Sequence, residues 1–263
     1  SHVWDFVDNP LAYQVFLGTQ LGDDGVQLRW LAPTEQYLSL GLELARGRGF
    51  PGGGEGARRP GMAALTAHAG GDIGESQSWR AGVSWLQARA TGQALALTDA
   101  QGAAAEGEFD GRTRLWVLDG VWKWAPAGNA SRTSVKLQGE YLRSTRSGSL
   151  RFDPAGADVT DRQRLAQSGG YLQAVWQFMP RWRAGLRGDW LDRGRTDYGA
   201  NDVHLAGASH IPSRASVVLD FSPRETSRLR LQLAQDRGRP GAADRQLVIQ
   251  YTLSLGAHPA HAY

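Results

Sequence analysis

Histidine side chains are the first groups in this chain that could do chemistry. Six are present, and two of them form His258-Pro-Ala-His261 close to the C-terminus. Imidazole is a common Zn²⁺ ligand, but a zinc site normally needs three or four protein ligands, so His258 and His261 are an incomplete candidate metal site. His204 and His210 share a predicted loop with Asp202. They could form a second contact to a metal or ligand. The simpler interpretation is that both histidines are solvated loop residues.

A second arrangement consists of charged residues that alternate with apolar ones. Between Arg181 and Arg193, Trp, Ala, Leu or Gly occupies every second position, and Arg or Asp occupies most positions between them. Successive side chains of a β-strand point to opposite faces, so this pattern predicts a strand with one apolar and one charged face. Over all predicted strands, the charged face carries Arg29, Glu43, His68, Arg80, Asp119, Lys123, Lys136, Glu140, Arg183, Arg187, Asp189, Asp220, Arg228 and Arg230.

The chemistry expected of this charged face is selection of ions rather than catalysis. Charged side chains that line a pore set its ion preference, and a cationic lining favours anions. Since positive residues exceed negative ones, the set predicts the pore lining of a weakly anion-preferring or mixed aqueous channel. The alternative is that the charges pair across strands and fill a polar interior. No Gly-x-Ser-x-Gly, His-Glu-x-x-His or phosphate-loop motif is present, so no catalytic residue and no cofactor is predicted.

The elements that position these residues are predicted strands joined by links that alternate between short and long. Outer-membrane β-barrels have short turns on one side and long loops on the other, which gives this alternation. The sequence therefore predicts an all-β, antiparallel transmembrane barrel over residues 25–263 with about twelve strands. Residues 1–24 are predicted to be either an inward-folded constriction loop or a weak first strand at 12–21. The long links are predicted at 46–61, 90–112, 145–166 and 194–213.

Composition is compatible with such a barrel. Hydrophobic residues make up 41% of the chain and the mean hydropathy is −0.41, with no apolar run long enough for a transmembrane helix. Alternating lipid-facing and lumen-facing residues keep the average polar in a barrel. Ten Trp residues fit an aromatic girdle at a membrane interface, and Trp79, Trp122 and Trp182 lie beside predicted short turns. The net charge of +3 and the lack of a Lys/Arg run do not indicate nucleic acid as a partner.

Several segments together resemble one protein family, the proteobacterial outer-membrane proteins described as zinc-regulated TonB-dependent receptors. The resemblance covers nearly the whole chain and is carried by residues 2–8, 22–33, 70–79, 122–126, 177–183 and 254–258. It implies a porin-like barrel in the bacterial outer membrane that takes up small hydrophilic solutes, including zinc or a zinc complex under zinc limitation. Zinc would then be a transported solute. Family members are longer at the N-terminus, which implies truncation here and a complete barrel of about sixteen strands.

The same interpretation predicts partners. They are outer-membrane lipid and lipopolysaccharide, the barrel-assembly machinery through the C-terminal Tyr263, and a further copy of the chain in a homo-oligomer. Three other functions stay open: an autotransporter-type translocator barrel, an outer-membrane enzyme, and a soluble β-sandwich binding module. A translocator carries a helix through its pore, and residues 1–24 contain Pro10 and show no helical periodicity, which argues against that alternative.

Overall fold

The computed structural model describes residues 4–54, 61–205, 207, 210–224 and 226–254. One short helix, α1 (Leu11–Leu17), precedes the strands. The strands are β1 (Gly25–Leu31), β2 (Tyr37–Ala45), β3 (Gly53–Gly54), β4 (Met62–Ile73), β5 (Gln77–Thr98), β6 (Ala104–Trp124), β7 (Ser134–Phe152), β8 (Val159–Met179), β9 (Trp182–Leu191), β10 (Arg195–Asp197), β11 (Ser213–Arg224), β12 (Ser227–Arg237) and β13 (Asp244–Leu253). Two short 3₁₀ turns lie at Pro126–Gly128 and Gly199–Val203.

All the described strands belong to one sheet. Its main path is β1-β2-β4-β5-β6-β7-β8-β9-β11-β12-β13, with antiparallel pairing throughout; β10 adds to β8, and β3 pairs in parallel with β5. The predicted all-β antiparallel architecture is therefore confirmed. Within the described residues β1 and β13 do not pair with each other, so the sheet is not closed. It is also a single layer, which differs from the two stacked sheets of the β-sandwich alternative.

The predicted weak strand at 12–21 is wrong, because most of that segment is helical. Pro10 precedes α1, and Gly18 ends it with φ 61°, a left-handed conformation that glycine adopts without steric cost. The side-chain amide Nε2 of Gln14 donates to the backbone carbonyl of Asn9 at 2.8 Å, which holds the turn together. Leu11, Ala12 and Phe16 are buried and therefore anchor the helix by packing.

None of the helices in the described ranges combines the length and apolarity that crossing a membrane requires.

Two of the predicted long links are instead extensions of the sheet. β5 and β6 continue as a hairpin as far as Thr98 and Ala104, and β7 and β8 continue as far as Phe152 and Val159. The paired backbone groups of one strand satisfy those of its neighbour, so polar sequences can extend the ladder. Strands of 19–22 residues result, about twice the length that a bilayer requires.

The exposure of side chains on the two faces of the sheet is the reverse of that in a soluble protein. On one side, here called the outer face, large apolar side chains are exposed to about half of their area: Leu118 is 55% exposed, Leu186 60% and Ile249 70%. On the other side, here called the inner face, Arg230 is only 1% exposed and Asp220 only 3%. Charged groups are normally solvated and apolar groups buried, so the described part of the chain has an inside-out distribution.

The outer apolar stripe has aromatic residues at both ends. Near the short turns, Trp79 pairs with Trp122 across β5 and β6, and at the far end of the stripe Trp85 pairs with Trp116. The nine residues from Trp116 to Trp124 cover eight steps, about 26 Å along the strand. A strand tilt of about 40° reduces the height of this stripe to about 20 Å, somewhat less than the apolar band of a membrane barrel, which is about 25 Å tall.

Candidate functional site

The candidate site is the inner face together with residues 4–24, here called the inner segment. α1 and the residues before it lie against this face rather than outside the sheet. Buried side chains of α1 form one cluster with inner-face residues that range from Ala45 and Met62 on β2 and β4 to Leu191 on β9. Since these strands are far apart along the sheet, the sheet must curve around the inner segment.

Asp8 fastens the inner segment to three strands. Its carboxylate accepts hydrogen bonds from Arg187 on β9 at 2.9 Å and from Gln232 on β12 at 2.7 Å, and it also pairs with Arg214 on β11. Burial acts to raise the pKa of Asp8, but Arg187, Gln232 and Arg214 outweigh it, and the pKa lies below its ordinary value. Asp8 is therefore held as a carboxylate. The amide of Val7 adds a hydrogen bond to Gln232 at 2.8 Å.

Asp5 makes the corresponding contacts on the neighbouring strands. It forms an ion pair with Lys136 on β7 and accepts a hydrogen bond from Gln173 on β8 at 3.0 Å. Arg183 on β9 lies 4.0 Å away. The side chain of Asp5 is only 9% exposed, so these partners satisfy a nearly buried charge.

The inner faces of β9, β11 and β12 form a dense group of arginines, here called the arginine wall. Asp220 lies at its centre and accepts hydrogen bonds from Arg230 at 2.7 Å and from Arg183 at 3.0 Å. The wall consists of Arg183, Arg187, Arg214, Arg228 and Arg230, and the aspartates from the same strands are Asp189, Asp220 and Asp236.

The inner segment offsets positive charge of the arginine wall. Five arginines face three aspartates, which leaves a surplus of two positive charges on these strands. Asp8 pairs with Arg187 and Arg214 of the wall, whereas Asp5 lies 4.0 Å from Arg183 and pairs more closely with Lys136 of β7. Since a buried guanidinium needs a charged partner, Asp8 offsets one charge of the surplus, and Asp5 is shared between the wall and Lys136.

Tyr13 joins the inner segment to β7 and β8. Its hydroxyl donates to Glu140 at 2.5 Å, and the hydroxyl of Tyr171 donates to the same carboxylate at 2.7 Å. Burial and the negative charge of Glu140 raise the pKa of Tyr13. Its hydroxyl therefore remains a proton donor over the whole range in which the protein would operate.

His68 and Asp119 meet across an intervening strand. His68 Nε2 lies 3.1 Å from an oxygen of Asp119, although β5 runs between them. Gly82 of β5 permits this, because a Cβ at that position would lie 2.2 Å from the His68 ring. Ser39 is the register partner of His68, but no hydrogen bond joins the two in the part of the chain that the structure describes. A Ser-His-Asp relay is therefore not assembled there.

The register places every residue of the predicted charged set on the inner face. Arg183, Arg187, Asp189, Asp220 and Arg230 are buried or part-buried and pair with one another or with the inner segment, as the cross-strand alternative described. The set occupies β1, β2, β4, β5, β6, β7, β9, β11 and β12.

Near the open edge the same face is more accessible. Arg29 lies on β1, whose residues are all exposed, and the half-buried Glu43 of β2 accepts a hydrogen bond from Gln27. Within the described ranges, Arg29 and Arg80 take part in no ion pair. This part of the inner face therefore presents charge toward open space.

Sequence reasoning missed the residues that bring the inner segment to the wall. Arg214 shares the alternation of β11 with Asp220, so the strand pattern alone was enough to place it on the inner face. Asp5, Asp8 and Tyr13 carry no local signal, because their partners lie 127 to 224 residues away in the chain.

The described residues do not bring His204 and His210 together at one site. His258, His261 and Tyr263 lie outside the described residues. His204 stacks on Phe152 with ring centroids 5.2 Å apart, and His210 contacts the carbonyl of Arg237 at 2.6 Å. Over residues 4–54, 61–205, 207, 210–224 and 226–254, no group of three or more His, Asp or Glu side chains could hold a metal ion.

Comparison with known proteins gives one informative relative. A protein of Aquifex aeolicus (strain VF5), described as an uncharacterized protein, is 31% identical over 282 aligned positions. The alignment covers all of this chain and 56% of that protein, so the chain spans a little over half the length of this relative. No protein-family model matches the chain.

Proposed function

We propose that this chain forms part of the wall of a β-barrel channel in a bacterial outer membrane, and that small hydrophilic solutes pass along its inner face. The observation that carries the proposal is the inside-out distribution. A continuous apolar outer face is stable against lipid, and a charged inner face is stable against water or its own ion pairs. A soluble monomer would rarely expose such a continuous apolar surface.

The open edges fit a wall that continues beyond the described strands. All seven residues of β1 are exposed, and so are Leu247, Ile249 and Tyr251 on β13. Unpaired backbone groups cannot remain at an edge inside a bilayer, since each costs several kcal/mol. We therefore propose that further strands complete the barrel between β1 and β13. A complete barrel of about sixteen strands, as the resemblance implies, would meet this need.

The inner segment is proposed to be the constriction of the channel. Its polar side chains contact β7 to β12 and offset most of the charge of the arginine wall, and its helix packs against residues that range from β2 to β9. Its seven-residue helix is about 10 Å long, which is too short to run through the membrane as a translocator helix does. Solutes would pass beside it, along the more accessible charges of β1 to β6, which include Arg29, Arg80 and Lys123.

The proposed solutes are small hydrophilic molecules, with a preference for anions. Zinc uptake is a narrower form of the proposal that comes from the resemblance.

The test measures the solubility and the channel conductance of the purified protein, expressed together with any strands that its gene encodes upstream. We expect it to need detergent to stay monodisperse, to incorporate into lipid vesicles, and to give discrete conductance steps in planar bilayers. Replacement of Asp5 and Asp8 by Asn should raise the anion preference, because the wall surplus is then uncovered. A protein that is monodisperse without detergent and does not enter vesicles would refute the proposal.

A further inference from the structure

On β5 to β8 and β10, six arginines project from the outer face at or just beyond the end of the apolar stripe, on the side of the long loops. They are here called the arginine collar: Arg89, Arg112, Arg114, Arg143, Arg164 and Arg195. All six are exposed. On β6, Arg114 is the next outward-facing residue after Trp116, which places the collar directly above the upper aromatic end of the stripe.

The collar brings like charges close together. Arg89 and Arg112 are direct cross-strand neighbours, an arrangement that destabilises a sheet unless an anion intervenes. The two neutral contacts are Arg114 to Gln87 at 3.3 Å and Arg143 to Ser168 at 3.2 Å. Within the described part of the chain no collar arginine forms an ion pair.

The nearby aspartates already have other partners. Asp110 accepts a hydrogen bond from the Gly92 amide at 2.9 Å, and Asp197 pairs with Arg162 at 3.5 Å. Asp192 accepts the Ser168 amide at 3.0 Å and lies in a small pocket of about 350 Å³ that Arg143, Arg193 and Arg195 also line. Positive charge therefore exceeds negative charge at this level of the outer face.

An apolar groove of about 610 Å³ lies below the collar on the same face. Its floor consists of small residues, among them Gly120, Gly139 and Gly188, and its sides include Trp122, Leu137, Leu172 and Leu186. Gly120 and Gly188 have open space where a Cβ would be. The groove is four residues below the level of Trp116 and Arg143, which corresponds to about 13 Å.

We propose that the collar and the groove together bind one lipid that carries two phosphates and several acyl chains. The inference rests on the proposed placement in the outer membrane. Arg89 to Arg195 spans four strand spacings, about 19 Å, which is wider than one phosphate. Guanidinium groups bind phosphate oxygens in a bidentate manner. The phosphates lie on the collar, and an acyl chain descends past Trp116 into the groove.

The test measures binding of bisphosphorylated lipid A, in mixed micelles, to the full chain purified in detergent. Native mass spectrometry counts the bound lipid, and a titration gives its affinity. The triple variant R114Q/R143Q/R195Q should bind at least tenfold more weakly. The matched control R237Q/R239Q/R245Q removes three exposed arginines near the loop-side ends of β12 and β13 and should stay within twofold of the original protein.

Two further arms separate the parts of the site. Gly188→Leu fills the groove without a backbone clash and should weaken binding of the acylated lipid severalfold. Dephosphorylated lipid A should bind the original protein and the collar variant equally.

Equal losses of lipid affinity in the collar variant and its control would show general charge attraction and overturn the inference. So would unchanged binding in the collar variant. If these results come from a protein that still enters vesicles and conducts, the proposed channel function stands and only the lipid site fails.

Discussion

Asp8→Asn is the substitution that most directly tests how the inner segment is held. It removes the charge that faces Arg187 and Arg214, while Asn keeps an oxygen that can still accept from Gln232. Removing one member of a buried ion pair costs about 3–5 kcal/mol. The Asp8 side chain is 27% exposed and one acceptor remains, so we expect a cost of about 2–3 kcal/mol. That corresponds to roughly a 30- to 150-fold shift toward an undocked segment.

Amide hydrogen exchange measures this shift at two positions. The amide of Val7 donates to Gln232 at 2.8 Å, and that of Leu11 donates to Asp189 at 3.1 Å. Both should lose protection by the same factor when the segment opens locally. Asp24→Asn is the control, because Asp24 is 81% exposed and its contact with Arg46 is 3.8 Å long. Unchanged exchange at Val7 and Leu11 in Asp8→Asn would refute the conclusion that Asp8 holds the inner segment in place.

The pH dependence provides an independent check on the same residue. The pKa of Asp8 is lower in the docked segment than its usual value near 3.9, because Arg187, Gln232 and Arg214 outweigh the opposing effect of burial. A carboxylate with a lowered pKa stabilises docking fully at pH values above its pKa in the undocked segment. This stabilisation is lost as the pH falls through its pKa in the docked segment. Protection of the Val7 amide against exchange should therefore decrease as the pH drops below about 4 in the original protein. In Asp8→Asn this protection should depend much less on pH.

Three other substitutions test the remaining parts of the structure. Asp220→Asn leaves buried arginines without their central partner and should lower the free energy of unfolding in detergent by about 3–5 kcal/mol, measured by denaturant titration. Leu186→Arg should destabilise the inserted protein by about 2–4 kcal/mol if the outer face contacts lipid; a change within about 0.5 kcal/mol would indicate a solvent-exposed face. Gly82→Ala places a Cβ 2.2 Å from the His68 ring and should lower the unfolding midpoint, whereas Gly120→Ala, with open space at its Cβ, should not.

The strands and their faces were predictable because both depend on local alternation. The pattern around Trp182 predicts a strand at 182–193, and the structure has Trp182–Leu191. A shift of one residue would exchange the apolar and charged faces, so the sequence also specifies which residues share a side.

The helix and the hairpin extensions were harder to predict from local sequence. A helix of seven residues has little stability of its own, and α1 depends on the packing of Leu11, Ala12 and Phe16 against distant strands. In the extension of β5, Leu95 and Leu97 do alternate with polar or small residues, but the Ala- and Gly-rich composition resembles a loop. The pairing partner decides the outcome there.

The inner segment and the arginine wall depend on each other, and this connects the proposed constriction to the proposed ion selectivity. Without Asp5 and Asp8, the wall would keep two uncompensated guanidinium charges in a poorly solvated place, which is costly. With them, most of that surplus is offset, and the field inside the proposed channel comes mainly from other inner-face charges such as Arg29 and Arg80. Displacement of the segment would therefore widen the passage and uncover positive charge in the same step. Conductance and anion preference should rise together rather than independently.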